Sequence, residues 1–135
     1  DGSASNDSGH MLNEARQAML LQRVMKTGDA LTARQSLAIA TRGGAAVLGR
    51  DDIGQLAPGY AADIAAFDCR GIDFAGAAWD LLAGLLFCGS TKTSYTIING
   101  KIIVDRGHLV TMDMPKLLEN HHAMTADLMR KAKWV

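Results

Sequence analysis

The residues best suited to chemistry stand at the start of the sequence, in "DGSASNDSGH". Asp1 is followed by Gly2, Ser3 and a polar turn, which reads as a strand tip entering a loop. Strand tips are where barrel enzymes carry their active-site acids. A carboxylate so placed can relay protons, so Asp1 is either a catalytic acid separated from its partners or only a terminal acid. Ser3, Ser5 and Asn6 either shape that loop or close its backbone hydrogen bonds. The imidazoles are scattered over His10, His108, His121 and His122, with no His-x-His pair. His10 lies just beyond the loop, as a first-turn surface residue or at the rim of a pocket. His108 follows a turn and reads as solvated. His121 and His122 are adjacent on a helix, where side chains diverge by about 100°, and read as a surface or interface pair. Asp63 opens a strand after a turn, where an acid bonds nearby backbone.

Composition narrows the classes. The chain has 135 residues, 14 basic against 14 acidic, with a formal net charge of zero. That balance argues against a nucleic-acid footprint or a membrane-surface patch, both of which need clustered positive charge. No apolar run reaches the roughly 18 residues of a membrane span, and no signal-peptide pattern opens the chain. Cys69 and Cys88 are too few for a secreted disulfide framework and read as reduced core thiols, Cys88 as a small buried hydrophobe. Met19, Met25, Met124 and Met129 read as core or subunit contacts rather than a ligand set. The expectation is a cytoplasmic globular chain, with no internal repeat.

The elements that must position these residues follow from periodicity and punctuation. Asp7 or Ser8 can cap a helix over Met11 to Lys26, ended by Gly28. Its apolar stripe is wide enough to be buried on more than one side. A second helix runs through "LTARQSLAIATRGGAAVLG", opened by a Thr32–Gln35 capping box and closed at Gly49. Leu37, Ala40, Gly44 and Leu48 share a face, and Gly43 and Gly44 suggest close approach of another backbone. Pro58-Gly59 signals a type II turn. Ala62 to Asp68 reads as a strand and residues 76–89 as a short apolar helix. Asn99-Gly100 is a type I′ hairpin turn between two runs rich in Ile, Val, Tyr and Thr. Asp105-Arg106-Gly107 makes a second turn before a short strand, His108 to Thr111. Asp113 and Pro115 start a last helix to about Lys131, with Leu117, Leu118, His121, Met124, Thr125 and Leu128 on its inner side. Four strands cannot close a barrel and leave edges that need covering, so the chain reads as part of a larger fold.

The order of "DGSASND", "IGQLAPGYAADIAAFD" and "YTIINGKIIVDRG" resembles the C-terminal part of metal-dependent amidohydrolases. The nearest branch is that of the cytosine, guanine, triazine and 8-oxoguanine aminohydrolases. In that family "GxLxxGxxAD" leads the chain from a (β/α)8 barrel into a small β-sandwich, and here it stands as Gly54, Leu56, Gly59, Ala62 and Asp63. The stretch through "HMLNEARQAMLLQR" and the later "LLFCG" are most similar to the 8-oxoguanine deaminase group. The resemblance implies an α/β fold: residues 1–50 end the barrel, 51–112 form part of a composite β-sandwich with an inserted helix, and 113–135 are a C-terminal helix.

The resemblance also implies a chemistry. Asp1 matches the acid at the end of the eighth barrel strand, a metal ligand and catalytic residue. A divalent metal, zinc or else iron, lowers the pKa of bound water so that hydroxide exists near neutral pH. The carboxylate beside it takes a proton and later delivers it to departing ammonia. The family's other ligands, a His-x-His pair and further His residues, have no match in this chain. A catalytic metal takes about three protein ligands and an open position, so the chain alone is expected to be inactive. The implied activity of the longer enzyme is deamination of an aminated heterocycle, foremost 8-oxoguanine. Other purines, pyrimidines, triazines or cyclic amides, and a non-catalytic assembly domain, remain open. The implied partners are a small heterocyclic substrate, the remainder of the barrel and further copies in a homo-oligomer.

Overall fold

The structure, a computed structural model, describes residues 9–25, 29–88 and 92–133. Its first half is helical. Helix α1 (Met11–Met25) stops at the described limit, one residue short of the expected Lys26. Helix α2 (Ala33–Ala38) begins with the anticipated capping box: Thr32 Oγ1 accepts from Gln35 N at 3.2 Å and Gln35 Oε1 accepts from Thr32 N at 2.9 Å. It runs through a π-helical turn, Ile39–Gly43, into α3 (Gly44–Val47). Gly49, at φ 67, closes α3 in the left-handed conformation, with its N–H bonded to Ala46 O and that of Arg50 to Ala45 O. This is the reciprocal pair of bonds that satisfies a helix's last carbonyls.

The widened turn was not foreseen, and it changes the role of the two glycines. A Cβ on Gly44 would meet nothing within 4 Å, and one on Gly43 only its own helix, from 3.7 Å. The close approach is made instead by Gly54, at φ 88, whose added Cβ would lie 2.9 Å from Ala45 Cβ and 3.0 Å from Thr41 O. The helix is therefore approached by a glycine outside it.

The chain then builds an antiparallel sheet in the order β1-β2-β3-β4. Strand β1 (Ile64–Ala66) is shorter than the expected Ala62 to Asp68, and β4 (His108–Leu109) shorter than His108 to Thr111. Strands β2 (Tyr95–Ile98) and β3 (Lys101–Asp105) form the expected hairpin, with Asn99 and Gly100 at φ 48 and 75. Thr96 pairs with Val104 but Ile97 with Ile102, so β3 carries one extra residue as a bulge. Tyr60 N–H bonds Ala57 O at 3.2 Å across Pro58-Gly59, as a type II turn requires.

Between β1 and β2 the expected helix over 76–89 is broken into pieces. Two 3-10 turns, Ile72–Phe74 and Ala77–Trp79, precede α4 (Leu81–Phe87). Gly76, at φ 85, stands ahead of the second turn, Asp80, at φ −149 and ψ 81, interrupts a continuous helix, and the Asp80 carboxylate restarts it by accepting from Ala83 N at 3.0 Å. Helix α5 (Met114–Lys131) begins at Asp113, whose carboxylate accepts from Lys116 N at 3.1 Å.

The core lies in the helical half. Ala15, Met19, Ala33 and Leu86 are buried together, with Leu12, Leu20, Leu37, Ala40 and Ala83 packed against them. Leu48, expected on one face with Leu37, Ala40 and Gly44, is exposed. The expected inner side of α5 is exposed too, because no described layer faces it. No strand residue is fully buried among those described.

Candidate active-site loop and its supports

Helix α1 begins directly after Gly9 and His10, the first described residues. Its Ala15 and Met19 pack on α2 and α4, and the buried Ser36 hydroxyl donates to the Ala15 carbonyl, pinning α2 to α1 inside the core. A serine within a helix gave no sequence signal for this, since its partner is 21 residues away. His10 directly precedes α1, and its carbonyl accepts from Asn13 N and Glu14 N at 2.9 and 3.2 Å. The residue is half-buried, with Nδ1 shielded from solvent. Asp1, Ser3, Ser5, Asn6 and the expected caps Asp7 and Ser8 lie outside the described residues, as does Gly28.

The remaining singled-out residues are dispersed rather than gathered. His108 is exposed and its Nδ1 lies 2.9 Å from Arg106 O within its own turn. His121 and His122 are exposed on α5, with ring centroids 6.2 Å apart and edge to face. Cys69 and Cys88 are free and half-buried. Of the four methionines, Met19 is fully buried, Met25 and Met124 are exposed and Met129 is half-buried. Only Met19 is a core residue.

Asp63 does bond backbone, but far along the chain. Its Oδ1 accepts from Asn99 N at 2.7 Å, while Gly100 N–H donates to Ala62 O at 3.1 Å. The two outward amides of the hairpin turn are thus held by the end of the "GxLxxGxxAD" stretch. The same end is tied back to the residues ahead of the stretch by Ala61 N–H on Asp52 O, and Asp52 receives Arg50 through Nε at 2.8 Å and Nη2 at 2.6 Å. That pairing holds the Asp52 carboxyl below its ordinary range. Asp68, bonded by the Arg70 guanidinium, is lowered to about 2. Both pairs are exposed and serve local structure.

No group of three or more His, Cys, Asp and Glu that could hold a metal occurs among the described residues. The shallow groove along α1 is lined by Asn13, Arg16, Gln17, Leu20, Leu21 and Val24, and the one toward α4 includes Arg23, Thr32, Arg34, Asp80 and Phe87. Neither contains an imidazole or a thiol. The described residues therefore do not form a metal cage by themselves. What they form is a scaffold: a first helix, a second helix pinned to it, and a glycine-and-aspartate connection to the sheet.

That scaffold has close counterparts. The sequence is 41% identical over 128 residues to 8-oxoguanine deaminase of Pseudomonas aeruginosa, covering 95% of this chain and 28% of that protein. Among solved structures it matches the atrazine chlorohydrolase of Arthrobacter aurescens TC1 complexed with zinc, at 38% identity and a TM-score of 0.83, over 90% of this chain and 28% of that one. It also matches an adenosine deaminase from Xanthomonas campestris with bound zinc, at 30% identity and a TM-score of 0.85, over 97% of this chain and 30% of that one. The chain thus spans less than a third of the length of these relatives. The signature of the amidohydrolase family extends over residues 1–103, from the first residue into β3. The chain belongs to the amidohydrolase family.

Proposed function

We propose that this chain is the C-terminal part of a longer metal-dependent aminohydrolase that removes ammonia hydrolytically from an aminated heterocycle, with 8-oxoguanine as its substrate. The observation that carries the reading is the 41% identity to an 8-oxoguanine deaminase over nearly the whole chain. Residues 1–50 then end a barrel, 51–112 contribute to a β-sandwich, and 113–135 form the closing helix. The enzyme works in the cytoplasm as a homo-oligomer.

Asp1 is this chain's contribution to the site. It is a metal ligand and the proton carrier: it takes the proton of the attacking water and hands it to the departing amine, which leaves as ammonia. The metal is divalent, and zinc is favoured because two of the solved counterparts carry it. The other ligands come from the portion outside this chain, since the sequence holds no His-x-His pair.

The experiment is ammonia release by the full-length protein, with 8-oxoguanine compared against adenosine, a hydroxytriazine, guanine and cytosine. The expected result is turnover of 8-oxoguanine above the others, and its loss in Asp1→Ala by a factor of about 10² or more, the usual worth of a positioned proton carrier. A preference for the triazine or the nucleoside keeps the aminohydrolase and replaces the substrate. A folded, metal-loaded protein that releases ammonia from none of them sinks the deaminase reading and favours a non-catalytic assembly domain.

A further inference from the structure

Helix α5 is well built as a helix and poorly covered as a surface. Asp113 caps it, Pro115 stands in its first turn, and Asp127 pairs with Arg130 and Lys131 at 3.6 and 2.7 Å near its end. None of its residues is buried, and among the described residues it makes no extensive contact with another helix or strand. Yet its apolar side chains fall on one side, with His121 and Thr125 among them. Met114, His121 and Leu128 recur every seven residues, Leu117 and Met124 flank them on one side, and Leu118 and Thr125 on the other. Leu117 is 46% exposed, Leu128 64% and Met124 73%.

The width of that stripe speaks to its occupant. At about 100° per residue the arc from Met124 to Leu118 covers about 120°. A stripe that broad faces the layered core of a globular body, whereas a helix pairing with its own copy needs only a narrower seam. The position of the helix speaks to it as well. The Xanthomonas campestris structure matches 97% of this chain, which leaves too few residues out for α5 to be missing from the match. The matched part is only 30% of that chain. A helix with no extensive contact among the described residues is thus included in a match, at a TM-score of 0.85, to a much larger fold.

We propose that α5 docks through this stripe on the remainder of its own polypeptide, the part ahead of Asp1, and clamps the C-terminal end of the chain onto the body that completes the site. The surface it meets is a broad apolar patch with a polar group opposite the His121 imidazole. The inference rests on the reading that the chain ends a longer polypeptide, and not on the reaction that polypeptide catalyses.

The test is hydrogen exchange of the α5 amides in the full-length protein over a hundredfold range of concentration, alongside its mass in solution. The expected result is slow exchange that does not change with dilution. Unprotected amides, or protection that disappears as an oligomer dissociates, overturns the proposal, the latter in favour of a second copy. Leu117→Asp and Leu128→Asp in the full-length protein are expected to speed α5 exchange at least tenfold and lower the melting temperature with the oligomeric mass unchanged. If they do not fold, Leu128→Ala gives the same comparison at smaller amplitude. A variant of reduced oligomeric mass with unaltered melting of the subunit overturns the proposal too. Ammonia release is not a readout, so a failed deaminase assay leaves this result intact.

Discussion

At the scale of single residues, Gly54 and Asp68 show how position separates structural from chemical roles. Gly54 has two reasons to be glycine: its φ of 88 and the Ala45 methyl 2.9 Å from where its Cβ would stand. Gly59 has only the first, since at φ 86 its added Cβ meets nothing within 4 Å. In the full-length protein Gly54→Ala is expected to cost about 1–3 kcal/mol more than Gly59→Ala, the range for overpacking; chemical denaturation of the two variants measures the difference, and equal costs would remove the crowding. Asp68 tests the electrostatics. Its pKa of about 2 lies below the ordinary 3.8 because Arg70 bonds it first through the side chain and then through the backbone N–H. A lowered folded-state pKa contributes stability that is present above the unfolded value and lost as pH falls through about 2. Solvent keeps that contribution small, since the Arg70 side chain is 90% exposed. Carboxyl NMR titration should show the Asp68 midpoint rising toward 3.8 in Arg70→Ala, with little change in melting temperature at neutral pH.

At the scale of elements, the chain relies on connections made by short polar groups. The capping box at Thr32, the carboxylates of Asp80 and Asp113, and the left-handed Gly49 each begin or end a helix. Among the side-chain hydrogen bonds of the described residues, the one with the longest reach is the Asp63 carboxylate on Asn99 N–H, 36 residues away. It joins β1 to the tip of the β2–β3 hairpin and so fixes the sheet to the connection that leaves the helical layer. Asp63→Ala in the full-length protein is expected to cost about 1 kcal/mol, the net worth of one such hydrogen bond, and to speed exchange of the Asn99 amide. Asp63→Asn retains an acceptor oxygen and should keep most of both. An Asn99 amide that exchanges equally fast in all three would show that the bond does not form in solution.

At the scale of the whole molecule, the packing is lopsided. The helical half has a core, while the sheet shows exposed Tyr95, Ile98 and Ile102, and α5 shows its stripe. The strands carry consecutive apolar residues, Ile97-Ile98 in "YTII" and Ile102-Ile103-Val104 in "KIIVD", so apolar side chains stand on both faces of the sheet. So much uncovered apolar surface drives association. The 135-residue chain produced alone is expected to self-associate and to bind a hydrophobic dye, as measured by sedimentation and fluorescence. A sharp monomer at high concentration would count against that expectation.

The sequence by itself determined what depends on neighbours a few positions apart. The Asn99-Gly100 and Pro58-Gly59 turns, the Thr32–Gln35 box and the Gly49 stop were legible because each is decided by local dihedrals and hydrogen bonds. Family membership was legible in the order of three short stretches. The break of the helix before Leu81 was less so, because the apolar run from Gly76 to Gly89 matches a buried helix while the Asp80 cap inside it is a single residue. Tertiary structure alone decided the rest. The Ser36 pin on Ala15, the Asp63 hold on Asn99 and the approach of Gly54 to the π turn are contacts between separate elements. Periodicity marked one side of α5 as apolar, but whether that side is covered depends on a surface that only a folded partner layer supplies, and periodicity carries no information about that layer.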